Sequence, residues 1–480
     1  MTTETVDSPP PHHYSPINPI VAMRRHLAMS VALLFAHANC SAFQVPITQQ
    51  TQPRQSSSIT TLCSLPTSQK VSLHPQAPRN YQSFVDWANY YGVIEENFSL
   101  QPSSNNWGAA ATQPANVGSR VLFVPAMLRL TSEQLRQDEF AHVEPVIAQS
   151  IDGTTSNGEI NLQNHFLLFL KILQEYDLGD QSPFHPWLDA MPRQFNTAIE
   201  FSDFEMDCLP PFVKFLAQRD RHNYDQFTQV LQQLNTPTIS DATKQTPDIT
   251  KWAFNVVFTR ARAMPGGTAE IIPMCDMLNH SANPNVEVQY DNEGNVHVIL
   301  LNSVQAGDGL HKCYGQPTNP SRFLATYGFF DVSPPCTYCK LWPGLIVTNE
   351  LVNLGFDFDR MVFYVDNGEI ANEVWDVMLY MILENIDRNM QQQFYNAHMS
   401  GDEATKAQFH EHYMPQTCNA LLQHVTECLD EIADCEKTID GGGMGLVHEH
   451  LPIIRRHNDF VRQTFGKVRK VLEGIQASYS

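Results

Sequence analysis

Residues 271–331 read IIPMCDMLNHSANPNVEVQYDNEGNVHVILLNSVQAGDGLHKCYGQPTNPSRFLATYGFFD, and this stretch decides the fold. Val286, Val288 and Tyr290 alternate with polar positions, DNEGN turns the chain, and Val296, Val298 and Leu300 alternate back. That pattern predicts a β-hairpin with one buried face. Residue types suited to chemistry flank it: Asp276, Asn279 and His280 before, Tyr314 and Tyr327 after. Taken singly, a buried Asn-His pair is usually satisfied by structural partners, and a tyrosine is usually a core ring bonding through its hydroxyl. Their density around one hairpin is what marks the region.

Working outward, a second β-rich block is expected to start near Trp252, and the polar stretch LNTPTISDATKQTPD (234–248) reads as a linker before it. Helical text runs up to about Gln233, and Leu162, Phe166, Phe169, Leu170 and Leu173 form the stripe of an amphipathic helix. Gly118-Ser119 followed by Val121 to Val124 and Pro125 reads as a turn and a short strand, and FVDWANYYGV (84–93) as a helix. Beyond Pro335 the text is helical again, with Val374, Met378 and Ile382 on one stripe and Leu421, Val425, Cys428, Leu429 and Ile432 on another. Gly441 to Gly443 lack a GKS-type continuation and read as a flexible loop. The order is β-rich, helical insert, β-rich, helical tail, which places the chain in the α+β class.

The 480 residues suffice for two or three domains, and 42% hydrophobic with 17% charged residues describes a soluble globular protein. With 30 basic against 51 acidic residues the formal charge is −21, which repels nucleic-acid phosphates and suits a basic, lysine-bearing protein patch as partner. Ten cysteines show no disulfide framework and read as reduced thiols. Cys336 and Cys339 in PPCTYC supply at most half a zinc site, and no HExxH spacing exists, so no metal is expected.

The front of the chain reads as an address. Between Asp7 and Asp86 there is no acidic residue. Met23-Arg24-Arg25-His26, the apolar run Leu27 to Ala36 and the small residues of AHANCSA follow the order of a secretory signal, too short to span a membrane. After Phe43 the text is hydroxylated, basic and acid-poor like a transit peptide. The tandem resembles the two-part plastid presequences of algae with complex plastids; a disordered tail on a cytoplasmic enzyme is the alternative, and Met1 and Met23 are both candidate starts.

PMCDMLNHS, the hairpin, the AGD turn, KCYG and TYGFFD together resemble the C-terminal half of a SET domain. SPFHPWLDAMP, KWAFNVVFTRAR and NNWGAAAT with VLFVP resemble the subgroup that includes the plastid Rubisco large-subunit methyltransferase. The resemblance implies a presequence over 1–80, a split SET domain over 81–335 with a helical insert at about 140–250, and an all-α substrate-binding domain over 336–480. It implies a monomer that uses S-adenosylmethionine to methylate lysine on a non-histone protein, with Rubisco large subunit or a plastid aldolase as the implied substrates.

By the same resemblance, a knot-like strand crossing at Asn279 and His280 holds the adenine, and Arg260 pairs with the cofactor carboxylate. Asp276 lines the cofactor site, and Trp107 with Gly108 forms a glycine turn around its methionine end. Tyr314 sets the transfer geometry and Tyr327 lines the lysine channel. Free lysine titrates at about 10.4, so a dry aromatic channel that disfavours the ammonium serves the reaction. Two positions depart from the pattern, Asn105 in the early turn and Gly309 in AGDGL. Two alternatives stand beside the lysine enzyme: a histidine acceptor, since imidazole is neutral near neutrality, and an inactive SET-derived binding module.

Overall fold

The computed structural model describes residues 68–480 except 104–105, 152, 154–160, 265–266, 316–319, 333–337, 341–353, 357–359, 442–447 and 480. The address segment up to residue 67, Cys336, and the loop at Gly442-Gly443 lie outside the described residues.

The first part carries α1 (Tyr81–Tyr90), β1 (Ile94–Glu95), β2 (Ser99–Ser103), β3 (Asn106–Ala110), β4 (Arg120–Val124) and β5 (Leu130–Thr131). A helical stretch follows: α2 (Ser132–Gln137), α3 (Glu144–Ser150), α4 (Leu162–Leu178), α5 (His185–Asp189), α6 (Asp203–Asp207), α7 (Pro211–Gln233), α8 (Asp241–Gln245) and α9 (Pro247–Arg260). The second β part holds β6 (Arg262–Ala263), β7 (Ala269–Ile271), β8 (Asn279–His280), β9 (Val286–Tyr290), β10 (Val296–Leu300) and β11 (Gly309–Lys312). Then come α10 (Ser321–Tyr327), β12 (Tyr338–Lys340), β13 (Val362–Tyr364), α11 (Asn372–Ile386), α12 (Arg388–Ser400), α13 (Glu403–Gly441) and α14 (Leu451–Ser478).

The predicted hairpin forms with Val286 opposite Leu300, Val288 opposite Val298 and Tyr290 opposite Val296. Val296 and Val298 are fully buried. β10 pairs on its other side with β4, so the sheet runs β1-β4-β10-β9. A second sheet, β2-β3-β11-β8, joins strands from both β parts, on either side of the helical stretch, and its β11 and β8 run parallel. Antiparallel neighbours can be joined by a short turn, whereas the parallel pair needs the whole hairpin as its crossover. The third sheet, β5-β7-β6, flanks them.

Asn80 caps α1 by accepting from the Ser83 N–H, and Asn161 caps α4 by accepting from Asn164. Phe166, Phe169 and Leu170 on α4 are fully buried in the core that also takes Phe84 and Val121.

Five sequence expectations need correction. The stretch from Trp252, read as the start of a β-rich block, lies in the helix Pro247–Arg260. The supposed linker contains α8, capped by the Ser240 hydroxyl, with Thr243 fully buried. Trp107 and Gly108 lie on strand β3, with Gly108 in register with Gln101, and not in a turn. The folded body begins before Tyr81: Val71 is buried, Lys70 pairs with Asp177, and Arg193 donates to the Pro78 carbonyl at 3.0 Å. The tail is not wholly helical, since β12 and β13 pair antiparallel.

The tail has its own core, in which Val374, Phe363, Leu421, Val425 and Phe465 meet. A separate cluster joins tail to insert: Phe201, Cys208, Leu209 and Leu324 pack with Ile439 and Ile454. Polar contacts reinforce it. Glu205 Oε1 accepts from the His450 N–H at 3.0 Å, and Asn458 Nδ2 donates to the Cys208 carbonyl at 3.0 Å.

Candidate active site

Met274 is the one described non-glycine residue with positive φ, at 71°, and it is fully buried. Left-handed backbone is costly for a large side chain and persists only where the surroundings enforce it. Here it starts the tight turn Cys275–Met277 that delivers the chain into β8. Asp276, in that turn, is buried; its Oδ2 accepts from the Trp187 indole at 2.9 Å and its Oδ1 has no partner among the described residues. Burial pushes its carboxyl pKa up, while the Arg260 charge and the indole bond oppose that.

Asn279 and His280 form β8, beside His311 and Lys312 of β11. The His280 Nδ1 accepts from the Tyr314 N–H at 3.2 Å. A ring nitrogen in that role carries no proton, so the neutral ring is protonated at Nε2, and that buried atom has no partner among the described residues. Burial lowers the His280 pKa, which favours this neutral form.

Tyr314 donates its hydroxyl to the Leu278 carbonyl at 2.8 Å, pinning its ring across the β8 crossing. The Tyr327 hydroxyl reaches the Tyr314 carbonyl at 3.4 Å, and the two rings lie 5.0 Å apart. Burial pushes the Tyr314 hydroxyl up to about 12 and raises that of Tyr327 as well, so both phenols are neutral. Phe329 completes the wall, 5.9 Å from Tyr327 and 5.3 Å from His280. Between the last two aromatics, Gly328 ends α10 at φ 72°, where a Cβ would sit 2.3 Å from the Asn196 carbonyl oxygen.

A cavity of about 370 Å³ opens here, lined by Arg260, Asn279, His280, Tyr314 and Tyr327 from the sequence reading. Arg260 holds the wall through Nη1, which donates to the Asp276 carbonyl and approaches the Met277 sulfur at 3.9 Å. Asp276, Trp107 and Gly108, expected to line the site, are not on its wall; Asp276 lies behind it, and Trp107 stacks on Tyr81 with ring centres 3.7 Å apart. The sequence reading missed Asn106, Gln194, Asn196, Thr259, Phe329 and Asp331, which also line it. Thr259 and Phe329 adjoin residues already singled out; Gln194 and Asn196 carry no local signal. Among the described residues no group of three or more His, Cys, Asp or Glu side chains could hold a metal, and no helix is long and apolar enough to cross a membrane.

No protein-family model matches the chain. By sequence it is 24% identical over 269 residues to an actin-histidine N-methyltransferase of Rattus norvegicus, covering 52% of this chain and 42% of that protein. It is 25% identical over 229 residues to SET domain-containing protein 4 of Homo sapiens, covering 43% of this chain and 50% of that one. The chain thus spans about half the length of the curated relatives it matches. By structure it superposes on Rubisco LSMT bound to AdoMet with a TM-score of 0.60 at 14% identity, covering 83% of this chain and 92% of that one. The SET domain of LSMT bound to lysine and AdoHcy matches with the same TM-score of 0.60, covering 91% of that chain. The fold is therefore α+β and SET-like, as in those structures: β-sheets split by a helical insert and followed by a helical C-terminal region.

Proposed function

We propose that the chain is an S-adenosylmethionine-dependent protein N-methyltransferase with a lysine side chain as acceptor. The observation that carries the reading is the convergence of Arg260, Asn279 and His280 with two half-buried, neutral tyrosines on one cavity of a SET-type fold. The residues fit the cofactor. Among the described residues nothing bonds Arg260 Nε or Nη2, which suit a carboxylate, or the buried His280 Nε2. When bound, S-adenosylmethionine supplies an electrophilic methyl on a positively charged sulfur.

The chain's own residues do the rest. Asn279 and His280 hold the adenine end, Arg260 the carboxylate, and Asp276, Trp107 and Gly108 support the methionine end from behind the wall. Tyr314 fixes the line of approach, because its hydroxyl is tied to Leu278 and its ring cannot swing. Tyr327 and Phe329 line the acceptor channel, exclude water and disfavour the charged amine, so the acceptor arrives without its proton. We assign residues 81–335 to the catalytic part, with the helical insert at about 140–250, and 336–480 to docking of the substrate protein. The acid-free presequence supports delivery to a plastid, where Rubisco large subunit or aldolase are the substrates to try first.

One observation favours a histidine acceptor as second reading: the curated sequence relatives include actin-histidine N-methyltransferases. The same experiment separates the two. The full chain is incubated with methyl-labelled S-adenosylmethionine and a soluble plastid extract, and the label is mapped by mass spectrometry beside a Tyr314→Phe control. Label on lysine that falls at least tenfold in the control supports the proposal; label on histidine replaces it with the second reading. No label, together with no cofactor binding, leaves a SET-derived binding module.

A further inference from the structure

Lys312 carries a charge that neither the packing nor the proposed chemistry uses. It is half-buried on β11, in register with His280 of β8. Its ammonium lies over the Tyr314 ring, 5.5 Å from the centre. Among the described residues no carboxylate pairs with that ammonium and no group accepts a hydrogen bond from it. An ammonium drawn from water without such partners costs the fold stability, and costs of this kind gather where a charge serves a site.

Charged and titratable groups face it from α9, β6, β8 and the turn before β8. Arg260 of α9 and Arg262 of β6 oppose its charge, Asp276 and Cys275 in the turn favour it, and His280 lies opposite on β8. Burial pushes the Cys275 thiol up to about 12 and lowers the His280 pKa, so both are neutral near neutrality. Two guanidinium groups therefore stand against one carboxylate, and the positive charge of Lys312 is not cancelled.

Tyr314 lines the cavity and Lys312 does not, so the ring stands between that charge and the cavity, with Tyr327 5.0 Å away on the same wall. A ring that already holds one cation against it is a poor host for a second. Transfer to lysine brings two cations to this point: the sulfonium of the cofactor, and the ammonium of an acceptor that still has its proton. The free amine and the sulfide left after transfer carry no charge.

We propose that Lys312 is a positioning residue that acts through Tyr314, its charge disfavouring a second cation at the point of methyl transfer. The acceptor amine then gives its proton to solvent before attack. Its lone pair forms the N–C bond while the C–S bonding pair goes to sulfur, leaving a neutral sulfide and a methylated ammonium. The assignment rests on the cofactor and lysine readings above and adds to them the control of charge behind the wall.

Lys312→Met removes the charge and Lys312→Arg keeps it. Affinities of the full chain and both variants for S-adenosylmethionine and S-adenosylhomocysteine are measured by calorimetry, and the rate of lysine labelling is followed against pH. A unit charge behind one ring, at a protein's effective dielectric, moves a neighbouring charge equilibrium about tenfold. Lys312→Met is therefore expected to bind S-adenosylmethionine about tenfold more tightly relative to S-adenosylhomocysteine, and its acidic rate limb to move up by about one pH unit. Lys312→Arg should match the parent chain in both. An unchanged affinity ratio, an unmoved limb, or the same changes in Lys312→Arg overturns the Lys312 assignment alone. A parent chain that binds neither ligand, or that labels only histidine, overturns the reading above and this assignment with it.

Discussion

Lys312 sits where its neighbours along the strand call for an apolar residue. Alternation on β11 places it on the same side as fully buried Leu310, with its ammonium 5.5 Å from the centre of the Tyr314 ring. Burial lowers its pKa, Cys275 and Asp276 oppose that, and Arg262 and Arg260 reinforce it. Between its lowered folded pKa and the unfolded value of 10.5 the unfolded chain holds more protons, so stability rises with pH across that interval. Lys312→Met is therefore expected to melt about 2 °C higher near neutral pH, with the advantage shrinking as the pH approaches 10.5; an equal gain at both ends counts against a desolvated lysine. Arg260, Asn279, His280, Tyr314 and Tyr327, singled out through the resemblance, share one cavity. Asn106 and Asn196 were not legible in the sequence, because only the fold carries them to the cavity from distant strands and loops. Tyr327→Phe keeps the ring and loses the 3.4 Å bond to the Tyr314 carbonyl; methyl transfer in the labelling assay should fall about tenfold or more, with S-adenosylhomocysteine affinity unchanged.

Helix α10 is short, and its end does the positioning. Gly328 adopts the left-handed conformation that lets Tyr327 and Phe329 both face the cavity, and the Asn196 carbonyl occupies the space a side chain would need. Gly328→Ala should cost about 2–4 kcal/mol in denaturant unfolding and lower the labelling rate together with it; an unchanged unfolding midpoint would show that Asn196 can yield. The elements that the sequence misrepresented have physical reasons. α9 presents Trp252 to Phe258 as seven consecutive buried residues, so it lacks the amphipathic period by which a helix is recognised, and its Val, Phe and Thr content favours strands in isolation. α8 was hidden because its stability comes from the Ser240 cap and from Asp177, which is far away in sequence and accepts from Thr243 Oγ1 at 2.6 Å. The hairpin and α4 were legible because one face of each pattern repeats at the period of its element.

Across the whole molecule, two buried histidines tie stability to acid. His165 packs in the main core with its pKa pushed down to about 4, and His457 bridges α14 to α10, its Nε2 2.9 Å from the Ser321 hydroxyl, with its pKa pushed down to about 3. Both are depressed below the unfolded value of 6.5, so stability is complete above that value and drains away as the pH falls towards the folded pKa values. Each should remove about 2 kcal/mol by roughly pH 5, and His457→Gln should recover about half of that loss in urea unfolding; a pH-independent difference between variant and parent would sink the assignment. The Glu205 and Asn458 contacts and the Ile439-Ile454 cluster make the tail part of the same cooperative structure, since the insert would otherwise expose Phe201 and Leu209. The parallel pairing of β8 with β11, in a sheet that also needs β3, has a consequence for how the protein comes into being. The cavity takes its walls from Asn106 at one end and Asp331 at the other, so closing it means joining segments more than two hundred residues apart, the kind of contact that forms slowly. A ribosome must release the chain well past Asp331 before the cavity can close, and a product that stops short therefore never has it.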